Sequence, residues 1–390
     1  MGDFICNRCG NSDKKWIGYI RGKPYCRYCI KFKGELAKPH EISNANPILD
    51  VSYFLTKEQQ RVSNKVLENY QNGINTLIHA VCGAGKTELV FDVILYALKN
   101  KQSVAFAIPR KDVVIELKDR LADAFSRNTV IAVYGQHSDI LEADIVVLTT
   151  HQLYRYENYF DLIVMDEIDA FPFKNNKLLN TFFQKALRGH FVMMSATPDK
   201  ATIDYFKHKG RDLVELNTRF HGQEIPVPKV ITGFNPYKFN KLIATLSRFV
   251  KNEKPVLVFA PTIKEAEKLH QLLRKFIPRG ECVHSEKKNR AEIIKLFKRR
   301  RYSYLVTTAV LERGITIKNL QVIIYNADSK IYDEYSLVQI AGRVGRKYDA
   351  PDGEVIFIGE TKTNAMERAI KSIERSNMFL QDLRRQNNEQ

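Results

Sequence analysis

Residues 77–90 read LIHAVCGAGKTELV: an apolar run, a glycine turn, Lys86-Thr87, then a helical pattern beginning near Glu88. Nucleotide phosphates require that order. Glycines let the backbone curl so that its N–H groups face the phosphates, and the helix that follows presents its positive N-terminal end. Gly83, Ala84 and Gly85 would form the cradle, Lys86 would reach the β- and γ-phosphates, and the Thr87 hydroxyl would ligate Mg²⁺. The first glycine of G-x-x-x-x-G-K-[ST] is Ala80 here, which leaves Gly83 and Gly85 to make the turn. An ordinary strand–turn–helix junction is the alternative, and Gly-Lys-Thr between an apolar strand and a helix argues against it.

Working outward, the chain alternates from Asn75 on. Apolar, β-branched runs fall at 76–81, 103–108, 129–133, 145–149, 162–165 and 191–194, with helical-period stretches between most of them. This pattern predicts an α/β fold, a parallel sheet wrapped by helices. Ligands of such sheets sit at the carboxyl ends of the strands. The run 162–165 ends in Asp166-Glu167-Ile168-Asp169, about 80 residues beyond Lys86. Asp166 is placed there to hold Mg²⁺ through water, and Glu167 to orient an attacking water. Other strands end in Pro109-Arg110, Thr149-Thr150-His151 and Ser195-Ala196-Thr197. Upstream of the loop, residues 39–52 form a linker and Thr56 caps the following helix. Gln59, three residues on, has an amide able to meet the N6/N7 edge of adenine. It is equally suited to an ordinary helix start.

The alternation breaks at residues 217–229 (NTRFHGQEIPVPK), which predicts an interdomain hinge. A second set of strands then falls at 256–260, 282–284, 305–308, 322–325 and 355–358, with no phosphate loop of its own. This half carries LERGIT at 311–316 and QIAGRVGR at 339–346. Arg343 and Arg346 are three apart, one helical turn, so that both can project from one face into a phosphate site, a known device for stabilising transferring charge. Two solvated arginines on a surface helix are the alternative for that motif alone. The basic stretch 287–301 favours a solvated helix face over a nucleic-acid contact. Residues 366–383 read as an amphipathic helix for the second domain or a partner. Cys82 and Cys282 read as plain thiols.

The 390-residue length predicts two or three domains, and 44% hydrophobic content fits globular folding without a membrane span. The N-terminus has cysteines and charge where a signal peptide needs an apolar core, so a cytoplasmic protein is expected. Its cysteines are then thiols or metal ligands. A formal net charge of +17 points to a polyanionic partner, nucleic acid before an anionic membrane surface. Cys6-x-x-Cys9 and Cys26-x-x-Cys29, sixteen residues apart, have the spacing of a tetrahedral four-cysteine zinc site rather than of a redox pair. A segment this short needs the metal to fold. Residues 1–40 also hold nine Lys/Arg against three acids, interleaved with Trp16, Tyr19, Tyr25 and Tyr28. The rings either stack on single-stranded bases or form the module's own small core.

Taken together and in this order, the motifs of residues 50–360 resemble superfamily 2 helicases. The resemblance implies two RecA-like parallel-sheet domains in tandem with ATP between them, here behind a small zinc module. The boundaries expected are 1–40 for the module, 41–220 for the first domain and 221–390 for the second. By that likeness Gln59 reads adenine, Gly83, Gly85, Lys86 and Thr87 hold phosphates, and Asp166 and Glu167 serve Mg²⁺ and water. Gly314 lines the cleft, and Arg343 and Arg346 are arginine fingers. Pro109, Arg110, Thr149, Thr150, Thr262, Thr307 and Thr308 fall where the superfamily touches the nucleic-acid backbone, while Ser195 and Thr197 couple hydrolysis to domain motion. The cysteines, the Ala170-Phe171-Pro172 continuation of DEID, and RFHG…PVPK are similar to the ComFA family of late-competence DNA translocases. That likeness implies ATP, Mg²⁺ and Zn²⁺, a single-stranded-DNA-dependent ATPase, DNA uptake during transformation, a place at the inner face of the membrane, and ComFC and DprA as partners. A PriA-like or RNA-unwinding helicase and a nucleotide-dependent DNA clamp are the alternatives. The absence of an obvious strand-separating insertion weighs against strong unwinding, and the full set of hydrolytic residues against a dead switch.

Overall fold

The computed structural model describes residues 4–32, 34–42, 46–81, 83–135, 139–168, 176–219, 223–308, 317–345, 350 and 352–388. The chain divides into two compact units, Met1–Ala80 with Gly85–Leu216, and Asn217–Gln390 with Val81–Ala84.

The first unit opens with an antiparallel hairpin, β1 (Ile17–Ile20) and β2 (Lys23–Cys26). Helix α1 (Lys57–Gln71) follows, and then seven strands: β3 (Asn75–Ala80), β4 (Val104–Ile108), β5 (Val130–Val133), β6 (Ile145–Thr149), β7 (Phe160–Met165), β8 (Leu187–Ser195) and β9 (Arg211–Leu216). They form one parallel sheet in the order β5-β6-β4-β7-β8-β3-β9. The crossovers between them carry α2 (Phe91–Lys99), α3 (Lys111–Ala124), α4 (Lys177–Ala186) and α5 (Lys200–Phe206). Helices cover both faces, so β4 and β6 are buried at every position and read as unbroken apolar runs.

The second unit is also a parallel sheet. Its strands are β10 (Lys229–Thr232), β11 (Val256–Phe259), β12 (Gly280–Val283), β13 (Tyr304–Thr307), β14 (Gln321–Tyr325) and β15 (Val355–Gly359), ordered β10-β15-β14-β11-β13-β12. Helices α6 (Asn235–Lys251), α7 (Ile263–Arg274), α8 (Arg290–Lys298), α9 (Glu334–Ala341) and α10 (Asn364–Asn388) cover it. Alternate strand residues feed opposite cores. Leu257, Phe259 and Val322 pack with residues of α9 and α10, whereas Val256, Val258 and Ile323 pack with residues of α6 and α7.

The hairpin strands β1 and β2 had no counterpart in the apolar runs. In the two parallel sheets, two described strands had none either, β9 and β10, and both are sheet edges. Each is only partly buried, which removes the continuous apolar signal. Helix α10 belongs to the second unit. It buries Met366, Ala369 and Ile373 in that core. Its buried Asn377 accepts a hydrogen bond from Ile225 N–H at 2.9 Å and donates to Ile225 C=O at 2.8 Å, pinning part of the expected hinge. In α8 only Ile293 and Phe297 are buried, and Lys295, Lys298 and Arg299 are solvated.

Candidate functional site

Beyond the end of β3, Gly83 and Gly85 adopt φ of 84° and 74°. These left-handed conformations favour glycine, and together they turn the chain back toward the sheet. The buried Ala84 lies between them. Thr87 is already helical, but the first turn, Glu88–Val90, is a tight 3-10 turn and α2 starts only at Phe91. The turn buries Leu89 and Val90, which anchor the chain just after the loop.

Sheet order places the other motifs beside this loop. Across the carboxyl ends of β6, β4, β7, β8 and β3 run Thr149, Pro109-Arg110, Asp166-Glu167, Ser195 and the glycine loop. Registers of Ile108 with Thr149, Ala107 with Met165 and Ser195 with His79 set these ends at one level. The loop and the carboxylates are thus two strands apart, about 10 Å at normal strand spacing.

Asp166 N–H donates to Ala107 C=O at 3.0 Å, and Ile168 N–H to Met194 C=O at 3.5 Å. Pegged to a strand on each side, the turn forces Glu167 to φ 57°, a left-handed conformation rare for a side-chain-bearing residue. Asp166 Oδ1 accepts the Glu167 N–H at 2.8 Å. Ser195 Oγ accepts Thr197 N–H at 3.0 Å, holding the end of β8 closed. At the start of α1, Thr56 and Gln59 form a reciprocal capping box, in which Gln59 Oε1 accepts Thr56 N–H at 2.9 Å and Thr56 Oγ1 accepts Gln59 N–H at 3.3 Å. Gln59 therefore does act as a helix-start residue. The box holds its amide group in one rotamer.

In the second unit, β11 and β13 are neighbours, so Thr262 and Thr307-Thr308 come to one end of that sheet. Thr262 is exposed and caps α7. Thr307 is enclosed and its Oγ1 bonds Thr308 C=O at 3.1 Å; Thr150 in the first unit is enclosed as well. Arg343, just past α9, is only 1% exposed. Cys82, Gly314 and Arg346 lie outside the described residues.

The sequence reading missed Arg219. This arginine, 2% exposed, donates from one terminal nitrogen to Val344 C=O and Gly345 C=O at 2.9 Å each, and from the other to Gly342 C=O at 3.1 Å. A guanidinium thus caps the carbonyl end of α9 within the AGRVGR motif itself, where a cation also meets the negative pole of the helix. Nothing in the spacing of RFHG announced it.

The four cysteines converge, with all ligand sulfurs within 4.8 Å of one another and each residue buried. Cys6 and Cys29 sulfurs are 3.6 Å apart, and Cys9 and Cys26 sulfurs 3.7 Å. Zinc–sulfur bonds of about 2.3 Å put the edge of a tetrahedron near 3.8 Å, so this donor set fits a tetrahedral cation. Burial, with bonds from neighbouring thiols, pushes Cys9 up to about 11 and Cys29 higher still. Burial thus disfavours the thiolates by themselves, and four of them this close would be stable only around a cation. The module is seated on the first unit, against the 3-10 turn at residues 150–155 and α4. Phe32 packs on Tyr154 and Phe182 with ring centroids 5.4 and 5.0 Å away. Arg155 Nε donates to Glu35 C=O and Ala37 N–H donates to Arg155 C=O, both at 2.9 Å. His40 meets the buried Asp144 at 3.1 Å.

Residues 52–200 match the family described as the res subunit of type III restriction enzymes, and residues 237–348 the helicase conserved C-terminal domain. The competence protein ComFA of Bacillus subtilis is 35% identical over 96% of this chain and 86% of its own length. ComFA of Streptococcus pneumoniae is 31% identical over 96% and 91%. Two solved structures share the fold. RecG bound to a three-way DNA junction superposes with a TM-score of 0.60 at 20% identity, over 84% of this chain and 47% of that one. S. cerevisiae Dbp5 bound to RNA and ADP BeF3 gives 0.59 at 17%, over 83% and 92%. Among the described residues, no helix is long and apolar enough to cross a membrane. With both helicase domains, the paired RecA-like sheets and these relatives in hand, the chain is a nucleic-acid-dependent ATPase of superfamily 2 and belongs to the ComFA family.

Proposed function

We propose that this protein is an ATP-driven translocase on single-stranded DNA that draws incoming DNA into the cytosol during transformation. The observation that carries the reading is the alignment of phosphate loop, carboxylate pair and Ser195 on neighbouring strand ends, in a chain whose relatives are competence proteins. In this reading the amides of residues 83–87 and Lys86 hold the triphosphate, Thr87 and Asp166 hold Mg²⁺, and Glu167 takes the proton of the attacking water. Magnesium held there would supply positive charge to the phosphates. Arg343 and Arg346 offset the charge on the transferring phosphoryl group. Gln59, its amide fixed by the capping box, reads the adenine edge. Arg110 and Thr262, the less enclosed members of the proposed backbone-contact set, meet DNA phosphates. The four cysteines bind one zinc.

Steady-state ATPase assays with single-stranded DNA, duplex DNA and RNA test the substrate class. We expect strong stimulation by single-stranded DNA and its loss in Lys86→Ala. Stimulation by RNA alone would sink the reading. Displacement of streptavidin from one end of a biotinylated oligonucleotide separates a motor, which strips it, from a clamp, which does not.

A further inference from the structure

We propose that the β1–β2 hairpin of the four-cysteine module is a second binding site for single-stranded DNA, with Tyr19 as its stacking platform. The proposal rests on the reading of the chain as a single-stranded-DNA motor, and it assigns to the module a role that none of the strand-end motifs fills.

Residues 14–34 contain seven Lys/Arg and no Asp or Glu. The fold sorts the aromatics among them. Tyr28 packs against the cysteine cluster and lies 5.3 Å from Trp16, ring to ring. Tyr25 lies across Gly18, where a Cβ would meet its Cζ at 2.5 Å. Tyr25 and Tyr28 are half-buried in the module's own small core, and Trp16 lies at its exposed margin. Tyr19 is not part of it: it stands 67% exposed, next to Ile20 at 62%. Pairing of Tyr19 with Pro24 and of Ile20 with Lys23 puts both at the turn end of the hairpin. The two-residue turn there is Arg21-Gly22, with φ of 47° and 75°. Both positions of such a turn are left-handed, where Asn-Gly is the relaxed choice and arginine costs conformational energy. The tip therefore presents a ring, an aliphatic side chain and two cations, Arg21 and Lys23, from a rigid turn.

This combination fits an unpaired strand, with phosphates on the cations and an unstacked base on the ring. Duplex DNA has no free base face to offer Tyr19. A hairpin segment without acids also disfavours a basic protein surface, and two apolar side chains are a small area for a protein interface. The hairpin is also firmly mounted. Arg27 N–H closes its base on Trp16 C=O at 2.7 Å, and Phe32 and Arg155 fasten the module to the first unit. Little ordering cost then opposes binding at the tip.

The test is fluorescence anisotropy of a labelled oligothymidylate with the full zinc-loaded chain. Tyr19→Ala should weaken binding about fivefold or more, and Tyr19→Phe should restore it. Arg21→Ser with Lys23→Ser should flatten the slope of log affinity against log salt by roughly 0.7 for each phosphate that is no longer neutralised. Zinc at one per chain and an unchanged thermal midpoint would show that these exposed substitutions leave the fold intact. Wild-type affinity and salt slope in both variants would overturn the proposal, including if they had lost binding to anionic vesicles or to another protein. A wild-type chain that fails to bind oligothymidylate would instead overturn the motor reading together with this one.

Discussion

Glu167 shows what one residue position can hold beyond its chemical identity. An acidic pair after an apolar strand is common, and this one was legible in the sequence through its spacing of about 80 residues from Lys86 and the Ser195-Ala196-Thr197 strand end downstream. Its φ of 57° was not, because that value comes from hydrogen bonds to Ala107 and Met194, both distant in sequence. A left-handed non-glycine residue costs of order 1–3 kcal/mol and is kept where the surroundings over-determine it. Glu167→Gly should therefore raise the thermal midpoint, by relieving about 1 kcal/mol, while ATP turnover falls by roughly a hundredfold or more as the proposed base is lost. Glu167→Gln should lose turnover without that gain. Melting curves and ATPase rates on the two variants check the pair, and equal midpoints would mean that the turn stores no strain. Arg219 is the opposite case. Its side chain has a clear structural role, three bonds to the end of α9, and its sequence context gave no hint of it.

At the scale of elements, legibility followed burial. Central strands such as β4 and β6 are covered on both faces and announced themselves as apolar runs, whereas the edges β9 and β10 mix polar and apolar residues and did not. Helix α9 illustrates a different limit. Its start is coded locally, by Asp333 accepting the Ser336 N–H at 2.8 Å, but its end is coded by Arg219, more than a hundred residues earlier. Removing that cap leaves three carbonyls without their donor in a buried place. Arg219→Ala should destabilise the second unit by about 3 kcal/mol, in line with loss of a buried charged network. Arg219→Lys should recover little, since one ammonium cannot reproduce the fork. Denaturant unfolding of the three proteins is the measurement. A lysine variant as stable as wild type would show that charge alone, not geometry, holds the helix end.

Across the whole molecule the two sheets share a division of labour between their ends. The carboxyl ends of the strands carry the motifs, and the opposite ends are clasped by ion pairs. In the first unit Asp161, before the middle of β7, takes Arg188 at 2.6 Å and Ser103 N–H at 2.9 Å. Burial pulls its carboxyl upward, but those bonds outweigh it and hold it below its ordinary value. In the second unit Glu354, one residue before β15, meets Arg248 at 2.6 Å and Lys229 at 3.0 Å. Arg248 above all, against some burial, lowers Glu354 to about 2. A depressed carboxylate contributes stability that is fully present above its unfolded value and is lost as pH falls toward its folded one. For Glu354 that window runs from about 4.5 down to about 2. The side chain is a quarter exposed, so the pair contributes only about 1 kcal/mol. Wild type and Glu354→Gln should therefore differ modestly in urea midpoint at pH 7, and the gap should close between pH 4.5 and 2. The formal charge of +17 grows as other carboxylates protonate, which destabilises both proteins alike and leaves the difference between them interpretable. A gap that stays constant down to about pH 3 would place the effect of the substitution in packing rather than in the ion pair.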